Sequence, residues 1–173
     1  MAWKQARRPR PTCLIEGKKA TIMTISSKIS LIPRGAIQGW QDFRREGEGF
    51  LKTATAAYTK RPEVFTAEIL YNLVAMAIEK LVMAALMRYG TLPYNHTMAD
   101  LVEAMEQTFP GAIQGLRAGL LQLDKYQQIC DLDTYRITPP GRREIPAMLD
   151  LGARMQELVA EKIMAGAARP EAT

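Results

Sequence analysis

The sequence predicts an all-α fold, and three observations carry the prediction. Apolar residues make up 47 % of the 173 positions and aromatics only 7 %, with Ala, Leu and ten Met supplying the bulk, a composition that favours helix over strand. From Trp40 onward the apolar residues recur at intervals of three and four, the spacing that lines one face of a helix. The breaks between these runs fall on Arg61-Pro62, Gly90 with Pro93, Phe109-Pro110-Gly111 and Pro139-Pro140-Gly141, where proline and glycine end or start helices.

Five helical segments follow in order. The first presents Trp40, Phe43, Phe50, Leu51, Ala54, Ala57 and Tyr58, with Gly47 and Gly49 marking an expected kink or late start. The second is expected to begin at Arg61-Pro62-Glu63, with Pro at the first helical position, and to run to about Tyr89. At about 1.5 Å per residue it would be about 40 Å long. Its run Ile69, Leu70, Leu73, Val74, Ala77, Ile78, Leu81, Val82, Ala85 and Leu86 leaves little polar surface, so it should be the central helix. A membrane span is disfavoured because Asn72, Glu79 and Lys80 would lie within it. The stripe Met76, Met83, Met87 reads as adaptable core packing.

The third segment opens on Thr97 with Asp100 three residues on, a capping-box pattern, and ends at Phe109. The fourth places Ile113, Leu116, Leu120, Leu123 and Cys130 in a heptad-like register, as one helix pairing antiparallel with a neighbour. After a loop whose consecutive prolines forbid helix, the fifth is expected near Glu144, with Met148, Leu151, Met155, Leu158, Val159 and Ile163 on its inner face. The domain is therefore expected over 37–166, with a frayed tail over 167–173.

The net charge is +5 and the pI about 9.3, but the excess is confined. Six of the 23 basic residues and one of the 18 acidic ones lie in 1–22, which leaves seventeen of each sign in the remainder. The basic character belongs to a flexible, Pro-interrupted leader, assigned to 1–36, and says little about nucleic acid. Its apolar stretch Thr12-Cys13-Leu14-Ile15 is cut off by Glu16, too short for a secretory signal. A cytoplasmic location is expected. Met23 is an alternative start, which would make residues 1–22 an over-extension. Cys13 and Cys130 form neither a disulfide framework nor a metal set; Cys130 reads as a small core residue.

Few residues carry chemistry. His96 is the one histidine, so any proton transfer by imidazole must use it. Arg88 precedes it by eight positions, and the two together would supply a general acid/base and a phosphate-stabilising charge, the minimum for cleaving RNA. Against this stands the plainer reading of a solvated loop histidine and a cation at a helix C-terminus. Glu79 and Lys80 interrupt an apolar run and need a partner, a wet groove or an outward-reaching side chain. Arg136, Arg142 and Arg143 bracket the Pro-Pro-Gly turn before the fifth helix, where guanidinium groups can hold a phosphate. Tyr94 and Tyr135 are aromatic surfaces on which a base could stack. No metal-ligand cluster, glycine-rich phosphate loop, nucleophile elbow or carboxylate pair occurs, and no cofactor is expected.

The stretch from Ala67 to Leu86, Ala-rich with the Glu79-Lys80 step and followed by Gly90, Pro93 and His96, resembles the second helix and following loop of HEPN (higher eukaryotes and prokaryotes nucleotide-binding) domains. The likeness spans roughly 38–164, with its identifiable pattern in about 30 residues. It implies an up-and-down four-helix bundle with an additional short helix, dimerisation, and a partner such as a minimal nucleotidyltransferase in a toxin–antitoxin-like setting. Some members are ribonucleases, using an Arg and a His separated by four to six residues. Here seven residues separate Arg88 from His96 and the interval contains Pro93. The resemblance therefore implies a non-catalytic member that binds a nucleotide, RNA or a protein partner. The alternatives are a metal-independent ribonuclease toxin using Arg88 and His96, and a homodimeric adaptor without a small ligand.

Overall fold

Leu70, Ile78, Leu81 and Leu86, on one 22-residue helix, are wholly buried, and the rest of the chain is arranged around them. The computed structural model describes residues 35–126 and 140–167. Among these the chain is all-α, in the order α1 (Trp40–Lys60), α2 (Ala67–Arg88), α3 (Met98–Thr108), α4 (Arg117–Leu123) and α5 (Ile145–Ala167), with no strand. The central position of α2 is as expected: it packs against α1, α3 and α5. By length and composition α2 could cross a membrane, and 67 % of the relevant window is buried inside the protein.

The first helix follows Gly39 at φ 87 and runs unbroken through both glycines, so the expected kink is absent. The reason lies across the interface. A Cβ on Gly47 would sit 2.8 Å from Leu81 Cγ and 3.0 Å from both Ala77 O and Leu81 N, so glycine lets α1 approach the α2 backbone. Gly152 lets α5 approach α1, where a Cβ would lie 2.8 Å from the Leu51 side-chain carbon Cδ1.

The second helix starts later than Pro62 suggested. Thr66 takes the N-cap, its hydroxyl accepting from Ile69 N at 3.2 Å, while residues 62–65 form turns in which Val64 N donates to Arg61 O. A capping oxygen at Thr66 satisfies a helical donor that Pro62 has no means to satisfy, and α2 is accordingly about 33 Å long. It ends at Gly90, φ 72. The third helix has the expected cap, Thr97 Oγ1 accepting from Asp100 N at 3.1 Å, and a second one from a distance. The Asp124 carboxylate accepts Met98 N and Ala99 N at 3.0 Å each.

The fourth segment departs most from expectation. Residues 111–116 are turns, α4 itself has seven residues, and a 3-10 turn follows at Asp124–Tyr126. Gly111, Gly115 and Gly119 each weaken a continuous helix. Asp124, which a longer α4 would have kept on its own surface, turns to cap α3. Ile113, Leu116, Leu120 and Leu123 are nonetheless all buried, as their spacing required; Cys130 lies outside the described residues. A 3-10 turn at Arg142–Glu144 then leads into α5, which buries Met148, Leu151, Met155, Val159 and Ile163 and leaves Leu158 partly covered. Tyr71 Oη donates to Leu123 O at 3.0 Å and Tyr89 Oη to Lys162 O at 2.9 Å, tying α2 to both neighbours.

Candidate functional site: the groove between the fourth and fifth helices

No buried side-chain nitrogen or oxygen among the described residues lacks a partner, so a site has to be sought at the surface. Where short α4 meets long α5 the two leave a groove of about 530 Å³, within the range usual for small-ligand sites. Two glycines of α4 shape its wall. A Cβ on Gly119 would approach Leu151 to 3.1 Å, and one on Gly115 would lie 3.4 Å from Arg154 Nη2. The floor is apolar, with Leu116, Leu123, Met148 and Leu151.

Polar groups gather at the two ends. At one, Tyr126 Oη donates to Glu144 Oε1 at 2.6 Å, and Gly141 N donates to Glu144 Oε2 at 2.6 Å, so both carboxylate oxygens are engaged. The hydrogen bond to Glu144, with burial and the carboxylate charge adding to it, pushes the Tyr126 phenol up to about 12. The same bond, then the Gly141 amide and the Lys125 charge, hold Glu144 below its ordinary value. The Tyr126 ring stands edge-on to Tyr71 at 5.2 Å, which fixes its plane. Arg143 lies beside this latch on the groove rim, exposed, with no ion pair or hydrogen bond among the described residues. At the other end Arg154 Nη2 donates to Gly115 O at 3.2 Å, and Arg154 Nη1 stands 4.0 Å from Asp150 Oδ2.

The residues singled out by sequence do not converge. His96 Nδ1 lies 2.6 Å from Glu79 Oε1, on a pair whose side chains are 63 % and 30 % exposed. Lys80 turns the other way, to Glu46 Oε2 at 2.8 Å, with its ammonium 4.1 Å from the Phe43 ring centroid. The two charges that interrupt the apolar run thus each find a polar partner, Lys80 toward α1 and Glu79 toward the α2–α3 loop. Arg88 stacks over Trp40 at 5.8 Å. It sits nine residues beyond Glu79, half a turn round α2 and about 13 Å along it, so Arg88 and His96 do not share a cleft. Tyr94 is 93 % exposed and stacks on no ring among the described residues. Arg142 donates to Phe65 O at 2.9 Å and covers Tyr58 at 5.3 Å. Among the described residues, Arg143 alone of the proposed ligand residues lines the groove. Tyr135 and Arg136 lie outside the described residues.

No family model, curated protein or solved structure matches the chain.

Sequence reasoning missed Tyr126, Glu144, Asp150 and Arg154. The spacing Arg143, Ala147, Asp150, Arg154 does place one stripe along the 3-10 turn and the outer face of α5, but that stripe becomes a wall only because α4 is short and glycine-rich. Among the described residues no three His, Cys, Asp or Glu side chains come together as a metal site. The groove lining has neither imidazole nor thiol among the described residues.

Proposed function

We propose that this chain is a non-catalytic, HEPN-like helical binding module that holds a nucleotide, or the end of an RNA, in the groove between α4 and α5. The observation that carries the reading is the unpaired Arg143 at the rim of an apolar, nucleotide-sized groove beside a fixed tyrosine ring. A guanidinium fork suits phosphate, and an apolar floor suits the faces of a base. Binding rather than catalysis is favoured because the phenol and carboxylate at the Arg143 end are spent on one another: both Glu144 oxygens accept hydrogen bonds, and Tyr126 donates its proton to Glu144. The module acts with a partner protein, of which a minimal nucleotidyltransferase is one kind. The protruding Leu92 and Tyr94, 53 % and 93 % exposed, are the sort of apolar and aromatic side chains that anchor such contacts.

The test is titration of the full chain with nucleoside mono-, di- and triphosphates and with a short single-stranded RNA, beside Ala147→Trp. Ala147 is exposed on the groove wall, so the indole fills the groove without entering the core. Binding weakened more than tenfold in the variant is expected; equal binding by both proteins would refute the groove as the site. A second reading, self-association, is favoured by the exposed Ile69 and Met76 on one face of α2. Sedimentation of Met76→Lys beside the unmodified chain tests it, a dimer that persists unchanged excluding that face.

A further inference from the structure

Building on the nucleotide-binding reading, we infer that the groove takes a purine mononucleotide with guanine as its base, its phosphate at Arg143 and its base edge at the Asp150–Arg154 pair.

The argument begins with the unequal ends. At the Tyr126 end the Glu144 carboxylate is engaged by two donors. Lys125 lies close enough to act on Glu144 through its charge, so with Arg143 this end carries a cationic surplus and unspent N–H donors. It fits an anion. The far end is balanced in charge and carries both kinds of hydrogen-bonding group. Asp150 and Arg154 stand too far apart, 4.0 Å, to satisfy each other, and Arg154 is steadied from α4 by the Gly115 carbonyl. This leaves carboxylate acceptors beside guanidinium donors. It suits a neutral edge with donors and an acceptor side by side and disfavours a second phosphate, which the Asp150 carboxylate would repel.

Length narrows the ligand. From Arg143 through one 3-10 turn and the start of α5 to Asp150 is about 12 Å along the axis. A nucleoside monophosphate, with roughly eight bonds from phosphorus to the outer edge of the base, spans on the order of 10 Å. Inorganic phosphate fills one end only, and the second phosphate of a longer strand would meet Asp150.

The base follows from donor and acceptor counting. Guanine presents two adjacent N–H donors and a carbonyl acceptor on one edge, so a carboxylate can accept both donors while a guanidinium donates to the carbonyl. Adenine and cytosine each offer a single amino group there, leaving one carboxylate oxygen without a base partner, and uracil offers no amino group. A site built to pair hydrogen-bonding groups discriminates against the analogue that lacks them. Because both side chains face water, the expected preference is modest, about tenfold.

Calorimetric titration of the full chain with GMP, AMP, CMP, guanosine and inorganic phosphate tests this. GMP is expected to bind about tenfold more tightly than AMP or CMP. Asp150→Asn should bring GMP down to the level of AMP without weakening AMP, which separates lost recognition from a general charge effect. Arg143→Gln should weaken every monophosphate about tenfold and leave guanosine unchanged. Both residues are exposed, so neither change threatens the fold. GMP, AMP and CMP binding with one affinity, weakened in Arg143→Gln, would overturn the guanine assignment and leave nucleotide binding standing. No binding of any nucleotide or RNA would overturn the nucleotide-binding reading itself, and with it this inference.

Discussion

Gly47 and Gly49 lie one residue apart on either side of Glu48 in α1, and replacing each by alanine separates two effects that are usually mixed. Alanine in a helix interior is worth about 1 kcal/mol over glycine through backbone entropy. At Gly49 nothing lies within 4 Å of the new Cβ, so Gly49→Ala should gain close to that full amount. At Gly47 the same gain is opposed by a Cβ 2.8 Å from Leu81 Cγ and 3.0 Å from the backbone atoms Ala77 O and Leu81 N. The leucine carbon is on a side chain with no exposure, and the backbone atoms belong to the central helix, so α1 itself must shift outward. Overpacking of this kind costs about 1–3 kcal/mol, which makes Gly47→Ala destabilising on balance. The two variants should differ by that overpacking cost, about 1–3 kcal/mol, or about 3–12 °C in Tm for a domain of this size. Thermal and urea unfolding followed by circular dichroism measures this directly. A Gly47→Ala protein as stable as Gly49→Ala would refute the claim that the α1–α2 spacing requires glycine.

Other expectations follow from single contacts. Asp124→Ala removes the acceptor of Met98 N and Ala99 N and should cost about 1–2 kcal/mol, with faster amide exchange confined to the start of α3. Glu144→Gln should bring the Tyr126 phenol down from about 12 toward its model-compound value of 10.0, seen in ultraviolet absorbance during alkaline titration. In the unmodified protein the raised phenol stabilises the fold below pH 10 and that contribution is lost as pH climbs from 10 through about 12, whereas the lowered Glu144 stabilises it above the ordinary carboxylate pKa of 4.5 and is lost on acidification. His96→Ala removes an exposed hydrogen bond with Glu79 and should change stability by no more than about 1 kcal/mol and leave any RNA-cleaving activity of a preparation unaltered; cleavage abolished by this change would restore the ribonuclease reading.

Apolar periodicity made the core legible to an unusual depth. Leu70, Ile78, Leu81 and Leu86 on α2, and Met155, Val159 and Ile163 on α5, are buried where a three-and-four spacing puts them, because burial follows angular position on a helix whatever the neighbours are. Ends and lengths were less legible. Pro62 is a sound helix-start signal, but Thr66 competes with it and offers a side-chain oxygen. The fourth segment kept its buried positions while losing half its helix, since Ile113 and Leu116 reach the core from turns as well as they would from a helix. The site was least legible. A charge in sequence carries no sign of its partner, and Arg142 and Arg143, adjacent and alike, are separated in role by the fold: one donates to Phe65 O and packs on Tyr58, the other faces the groove.

That division between neighbours bears on how the groove keeps its shape. Arg142 ties the entrance of α5 to the turn before α2, Glu144 ties it to Tyr126 at the end of α4, and Tyr126 rests against Tyr71 of α2. Arg142 and Glu144 thus bind one helix start to two other elements, and Arg143 between them has no ion pair or hydrogen bond among the described residues. A side chain that carries as much rotamer entropy as arginine gains most from a ligand when its backbone is already fixed, because only the side-chain freedom remains to be lost on binding. The rigid flanks therefore predict that Arg142→Ala, which leaves the Arg143 guanidinium intact, weakens phosphate-dependent binding severalfold by loosening the backbone beneath it, as well as lowering stability by about 1–2 kcal/mol. Titration with GMP and with guanosine distinguishes the two effects: a loss restricted to the phosphorylated ligand supports a preorganised Arg143, and an equal loss for both would assign Arg142 to general stability alone.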